Sequence, residues 1–123
     1  MAYLLPTVGS MKIDTNVERG ERNLLNIPEK IQVFGQTIDV ELTTTPQEIP
    51  GKGIVLGSYT PSKAKIVLFH NPNKPEVAAS NFIHETIEAI DCLGDLQMNH
   101  TQISTLSSAL HQVFDSISYA EAA

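Results

Sequence analysis

Cysteine is nearly absent from this 123-residue chain: Cys92 is the one thiol, so no internal disulfide can form. A single free cysteine reads as a small buried side chain in a reducing cytosol. No apolar run approaches the ~20 residues that span a bilayer. The opening MAYLLPTVGS lacks the basic start and long apolar stretch of a secretory signal. The expectation is therefore a cytoplasmic protein with no membrane partner. Basic residues are missing from the last two fifths of the chain: all eight Lys and Arg lie at or before Lys74. The remainder carries Glu76, Glu85, Glu88, Asp91, Asp95, Asp115 and Glu121, so the two parts have formal charges of +1 and −7. Nucleic-acid affinity rests on neutralising phosphates, so no nucleic-acid partner is expected. An acidic half suits cations, or solubility alone. Internal repeats and low-complexity tracts are also lacking.

What is present is the composition of one folded domain, 41% hydrophobic and 18% charged. Residues 1–28 mix apolar scraps, charge, Pro6, Gly9, Gly20 and Pro28 without a period, which reads as an arm or N-terminal extension. KIQVFGQTIDVELT alternates apolar and polar residues on both sides of a glycine turn and predicts a β-hairpin. TTTPQEIPGKG reads as a loop, and GIVLGSYT and AKIVLFH as a second hairpin. Asn73 and Glu76 form a capping-box pattern around Pro75. The helix that follows presents Ala79, Ile83, Ile87, Ile90 and Leu93 on one face until Gly94 ends it. A second helix starts after Asn99, with Gln102 three residues on, and buries Ile103, Leu106, Leu110, Val113, Phe114 and Ile117. Strands first and helices last predict an α+β fold, a small antiparallel sheet of two hairpins packed on two C-terminal helices.

The first helix carries the chemistry. His84-Glu85-Thr86-Ile87-Glu88 is one residue away from H-E-x-x-H, in which two histidines one turn apart hold zinc and the glutamate activates water. His84 and Glu88 stand at i and i+4, close enough to reach one ion. Zinc accepts carboxylate oxygen as well as imidazole nitrogen, and two histidines with one glutamate form a known catalytic ligand set. His100, opening the second helix, is the candidate third ligand. Glu85, about 100° around the helix, is the candidate general base. Asp91, on the stripe of His84, could orient a ligand imidazole. Each residue also has a plainer reading, an amphipathic helix whose wet face shows His and Glu. His111 is an alternative ligand or a surface histidine, His70 a strand end, and Ser104, Ser107 and Ser108 a helix face without a nucleophile pattern.

GSYTPSKAKIVLF followed by FIHETIEAIDCLGDLQMNHTQISTLSSALHQVF resembles small zincin-type metallopeptidase-like proteins of bacteriophages and prophages, distant relatives of the SprT-like and ImmA-like metallopeptidases. The resemblance rests on Gly57 and Tyr59, on His84, Glu85, Glu88, Ala89 and Ile90, and on Leu106, Leu110 and Val113, across roughly residues 30–118. It implies a minimal zincin-like domain over 29–120 and a strand edge beside the helix that takes a substrate peptide by β-augmentation. The expected function is a zinc-dependent hydrolase acting on a peptide or protein. Two other readings stand beside it: a non-catalytic phage interaction protein docking a protein partner, and a virion or oligomer component strapped by its N-terminal arm.

Overall fold

The computed structural model describes residues 27–122, with side chains through Ile117. The expected arm therefore lies outside the described residues except for Ile27 and Pro28, and Ile27 packs against the core.

β1 (Lys30–Val33) and β2 (Gln36–Thr43) pair antiparallel, as the alternation predicts. Phe34 and Gly35 make the turn between them with positive φ at both residues, the backbone of a type I′ hairpin turn. The proline- and glycine-rich stretch is not a plain loop. β3 (Gln47–Ile49) and β4 (Gly53–Val55) pair there as a small separate sheet, closed by the Lys52 N–H donating to the Ile49 carbonyl at 2.9 Å. Gly51 and Gly53, at φ +84° and +80°, allow so tight a reversal. The glycines that suggested a loop are the ones that make a hairpin.

β5 (Gly57–Thr60) and β6 (Lys65–Phe69) form the second antiparallel pair through a 3₁₀ turn at Pro61–Lys63. The α+β class holds, but the sheet is mixed. Its order is β1-β2-β6-β5, and β2 runs parallel to β6, with residues 44–64 serving as the crossover that parallel strands require. β5 is thus an edge strand. Ile38 and Val40 from β2 and Ile66 and Leu68 from β6 fill the core, which suits the two inner strands.

α1 (Pro75–Gly94) buries Ala89 against this sheet and Ile83 and Ile87 on its other side. The expected capping box at Asn73 does not form. Lys74 is the N-cap without a side-chain bond, and the Asn73 N–H donates instead to Oδ1 of Asn71. At the other end Gly94 is still helical, and Asp95 takes the left-handed conformation that closes the helix. Gly94 is needed for another reason: a Cβ there would stand 3.2 Å from the ring of Phe34.

α2 (His100–Ala122) begins with the predicted cap. Asn99 and Gln102 exchange side chain-to-backbone bonds of 2.9 and 2.8 Å. It packs against α1 through Ile103, Leu110 and Phe114. Leu106, Val113 and Ile117, expected to be buried, are 42%, 47% and 50% exposed; among the described elements α2 packs chiefly on α1. Among the described residues no helix is long and apolar enough to cross a membrane.

Candidate metal centre

α1 is clamped between the sheet and α2, and its remaining stripe carries His84 and Glu88. Nε2 of His84 lies 3.2 Å from Oε2 of Glu88. Ligands at 2.0–2.1 Å from a tetrahedral zinc are themselves roughly 3.3–3.4 Å apart. The contact is an i,i+4 His–Glu pair at hydrogen-bond distance, and two donors to one ion would have a similar spacing. His100 comes to the same place from the start of α2, its ring centre 5.9 Å from that of His84. Two imidazoles on one tetrahedral ion have centres roughly 5–6 Å apart, so this distance fits as well. The Nε2 atom of His100 is engaged along its own helix, 3.4 Å from Oγ of Ser104. Among the described residues no group of three His, Cys, Asp or Glu side chains is already gathered to hold an ion. His84 and Glu88 are in contact with each other, and His100 lies beside them with its Nε2 toward Ser104.

The connection between the helices brings His100 there. Oδ1 of Asp91 accepts the Met98 N–H at 2.8 Å, and the Leu96 N–H donates back to the Asp91 carbonyl at 3.1 Å. Asp91 thus shapes the turn that delivers His100, and no contact of its carboxylate with an imidazole is formed. His111 lies eleven residues along α2 from His100, about 16 Å in axial rise. His111 was the alternative to His100 as third donor, and it is His100 whose ring stands beside that of His84. His70 ends the sheet, its N–H donating to the Thr43 carbonyl.

No family model, curated protein or solved structure matches the chain. The site has to be read from its own geometry.

Glu85 faces the sheet edge. It is only 8% exposed, and its Oε2 would stand 3.3 Å from a Cβ placed on Gly57 of β5. Burial raises its pKa from 4.5 to about 7, the charge of Glu88 adds to the rise, and Lys52 at the β3–β4 turn opposes it. The hairpin carrying Lys52 is tied to β5 by Oγ of Ser58 donating to Oε1 of Gln47 at 3.0 Å. Tyr59 also points at α1, where its buried hydroxyl has no oxygen or nitrogen partner among the described residues and only the Cys92 thiol beside it. Burial pushes its phenol pKa up, and Cys92 beside it adds to this. Cys92 itself is exposed rather than buried.

Three contributors were missed in the sequence reading. Lys52 lies in a stretch read as a loop. Gly57 looked like part of a strand, and only packing shows that its bare Cα leaves room for Glu85. Ser107 is 6% exposed and touches both Ile103 and His84. Its signal was available: it interrupts the apolar stripe Ile103, Leu110, Phe114 at helical spacing.

Proposed function

We propose that this chain is a small zincin-like, zinc-dependent hydrolase of peptide bonds, of phage or prophage origin and at work in a host cytosol. The observation that supports it most is the 3.2 Å spacing of His84 and Glu88, with Glu85 buried on the next face of the same turn. His84, Glu88 and His100 would hold the ion. Bound there, zinc supplies Lewis acidity, polarising a carbonyl and acidifying water. Glu85 takes the proton from the attacking water and returns it to the departing amine, the role its position beside the ligand pair allows. Among the described residues β5 is an edge strand next to Glu85, and such an edge can pair with an extended peptide.

Metal analysis of the full-length protein tests this. The expected result is about one zinc per chain, lost in His84→Ala and retained in Glu85→Gln, which abolishes cleavage of an unfolded protein substrate. Protein that arrives without zinc and takes up none when it is added sinks the reading.

A second reading, a non-catalytic interaction protein, draws on the exposed Leu106, Val113 and Ile117 of α2. A partner captured equally by wild type, by Glu85→Gln and in the presence of chelator would favour it.

A further inference from the structure

Ile103, Leu106, Leu110, Val113 and Ile117 follow one another along α2 at alternating steps of three and four residues, the spacing of a seam that two helices share. α1 occupies only part of that seam. Ile103 and Leu110 pack against it with Phe114, while Leu106, Val113 and Ile117 form a row beside them that is about half exposed. The row is flanked at helical spacing by Gln102, Ala109 and Ser116, all exposed. The side-chain oxygen of Gln102 accepts the Asn99 N–H at 2.9 Å, and the Ser116 hydroxyl donates to the Gln112 carbonyl at 3.0 Å. Covering this face therefore leaves neither oxygen without a partner. The face also carries no charge. From His100 to Ile117 there is no Lys or Arg, and the one acid, Asp115, falls on the opposite side of α2 from the row at 100° per residue.

We propose that this row is an interface between two copies of the chain, packed α2 against α2 about a twofold axis. Charge is what selects a second copy. The chain has a net charge of −6, so two copies repel wherever their acids meet, and here they meet without acids. A basic partner would find no counter-charge on this face. In a twofold contact each residue is used twice, so three exposed side chains supply six. From His100 to Ile117 the helix runs about 26 Å, and one such face against another is small for an interface, which makes the dimer reversible. The inference goes beyond the hydrolase reading and holds with or without zinc. His100 stands about 120° around α2 from Leu106, so the dimer leaves the candidate metal centre uncovered.

Sedimentation equilibrium of the full-length protein over a wide concentration range, with zinc and with chelator, tests this on wild type, Leu106→Glu, Val113→Glu and Ala109→Arg. The wild-type mass rises from one chain to two with a midpoint on the order of tens of micromolar, the weak end that suits a small interface, and is the same with zinc and with chelator. Leu106→Glu and Val113→Glu bring acids of the two copies together and weaken association at least about 100-fold. Their circular dichroism and melting, at a concentration where every protein is monomeric, match wild type. Ala109→Arg, at the exposed margin of the row, weakens association too, and it decides the matter should an acid variant fail to fold. A wild-type protein that stays a single chain at the highest concentration overturns the proposal. If Val113→Glu then melts lower, the row is covered within the chain; if it melts as wild type does, the row is left for a different partner. A dimer that persists in all three variants, or that forms only with zinc, lies elsewhere and overturns the proposal as well.

Discussion

Gly57 and Glu85 are fitted to one another: a Cβ on the glycine would stand 3.3 Å from Oε2 of the carboxyl and 3.3 Å from Cβ of Asn81. The edge strand and the helix approach closely there because one of them lacks a side chain. Glu85 is buried by that approach, and its burial sets its proton affinity.

Gly57→Ala tests the fit directly. The added methyl pushes the Glu85 side chain aside, since the neighbouring Asn81 Cβ belongs to a helix and cannot yield freely. On the proposed hydrolase reading, cleavage falls about 10–100-fold, the scale set by small misplacements of a reacting group. Zinc stoichiometry stays at the wild-type value, because His84, Glu88 and His100 are untouched. An alanine variant with wild-type cleavage rate would show that Glu85 does not depend on this contact.

The stability of the metal-free protein depends on pH through Glu85. Its folded pKa is raised from 4.5 to about 7, so the folded chain holds the proton more tightly than the unfolded one. The associated stability is fully present below about 4.5 and is lost as pH rises through about 7, amounting to roughly 3 kcal/mol at most. Urea midpoints across this window fall in wild type and are flatter in Glu85→Gln. Parallel curves for the two proteins would remove Glu85 as the cause.

Tyr59→Phe stabilises the protein by up to about 1 kcal/mol, because it removes a buried hydroxyl whose neighbour among the described residues is only the weakly hydrogen-bonding Cys92 thiol, while keeping the ring packed on the core. Chemical denaturation measures it. A variant less stable than wild type would mean that the hydroxyl is bonded after all.

Asn99→Ala removes one half of the reciprocal cap on α2 and costs about 1 kcal/mol. Because His100 is the first residue of that helix, zinc affinity falls as well. Gln102→Ala, which removes the other half, acts in the same direction on both readouts. Thermal melts and dye competition on the two variants decide this, and an unchanged affinity in both would separate the cap from the placement of His100.

Local patterns, then, were enough to delimit much of this molecule. The alternation in residues 30–42, the β-branched run into Phe69, the apolar residues of α1 and the Asn99–Gln102 cap are all short-range signals, and their elements form where expected, although the α1 stripe divides, with Ile83 and Ile87 toward α2 and Ile90 and Leu93 toward the sheet, and Leu42 stays exposed. The pairing of His84 with Glu88 belongs with them, since i and i+4 on a helix are neighbours whatever surrounds them. Other features depend on what packs against what, and sequence spacing does not encode that. The parallel pairing of β2 with β6 joins residues some 26 positions apart, and the Asn73 box was displaced by a competing bond to Asn71. Leu106, Val113 and Ile117 have the period of a buried stripe, yet remain exposed; among the described elements α2 packs chiefly on α1.

By itself the sequence determined the elements other than the β3–β4 hairpin, the helical pair His84–Glu88 and the acid Glu85 beside it, because each follows from backbone periods over a few residues. Tertiary structure alone decided that Glu85 is buried under Gly57, that His100 reaches the ring of His84, and that Ser107 lies at its Nδ1. Those relationships are made by the close approach of separate elements, where burial and contact rather than spacing set the chemistry of a side chain.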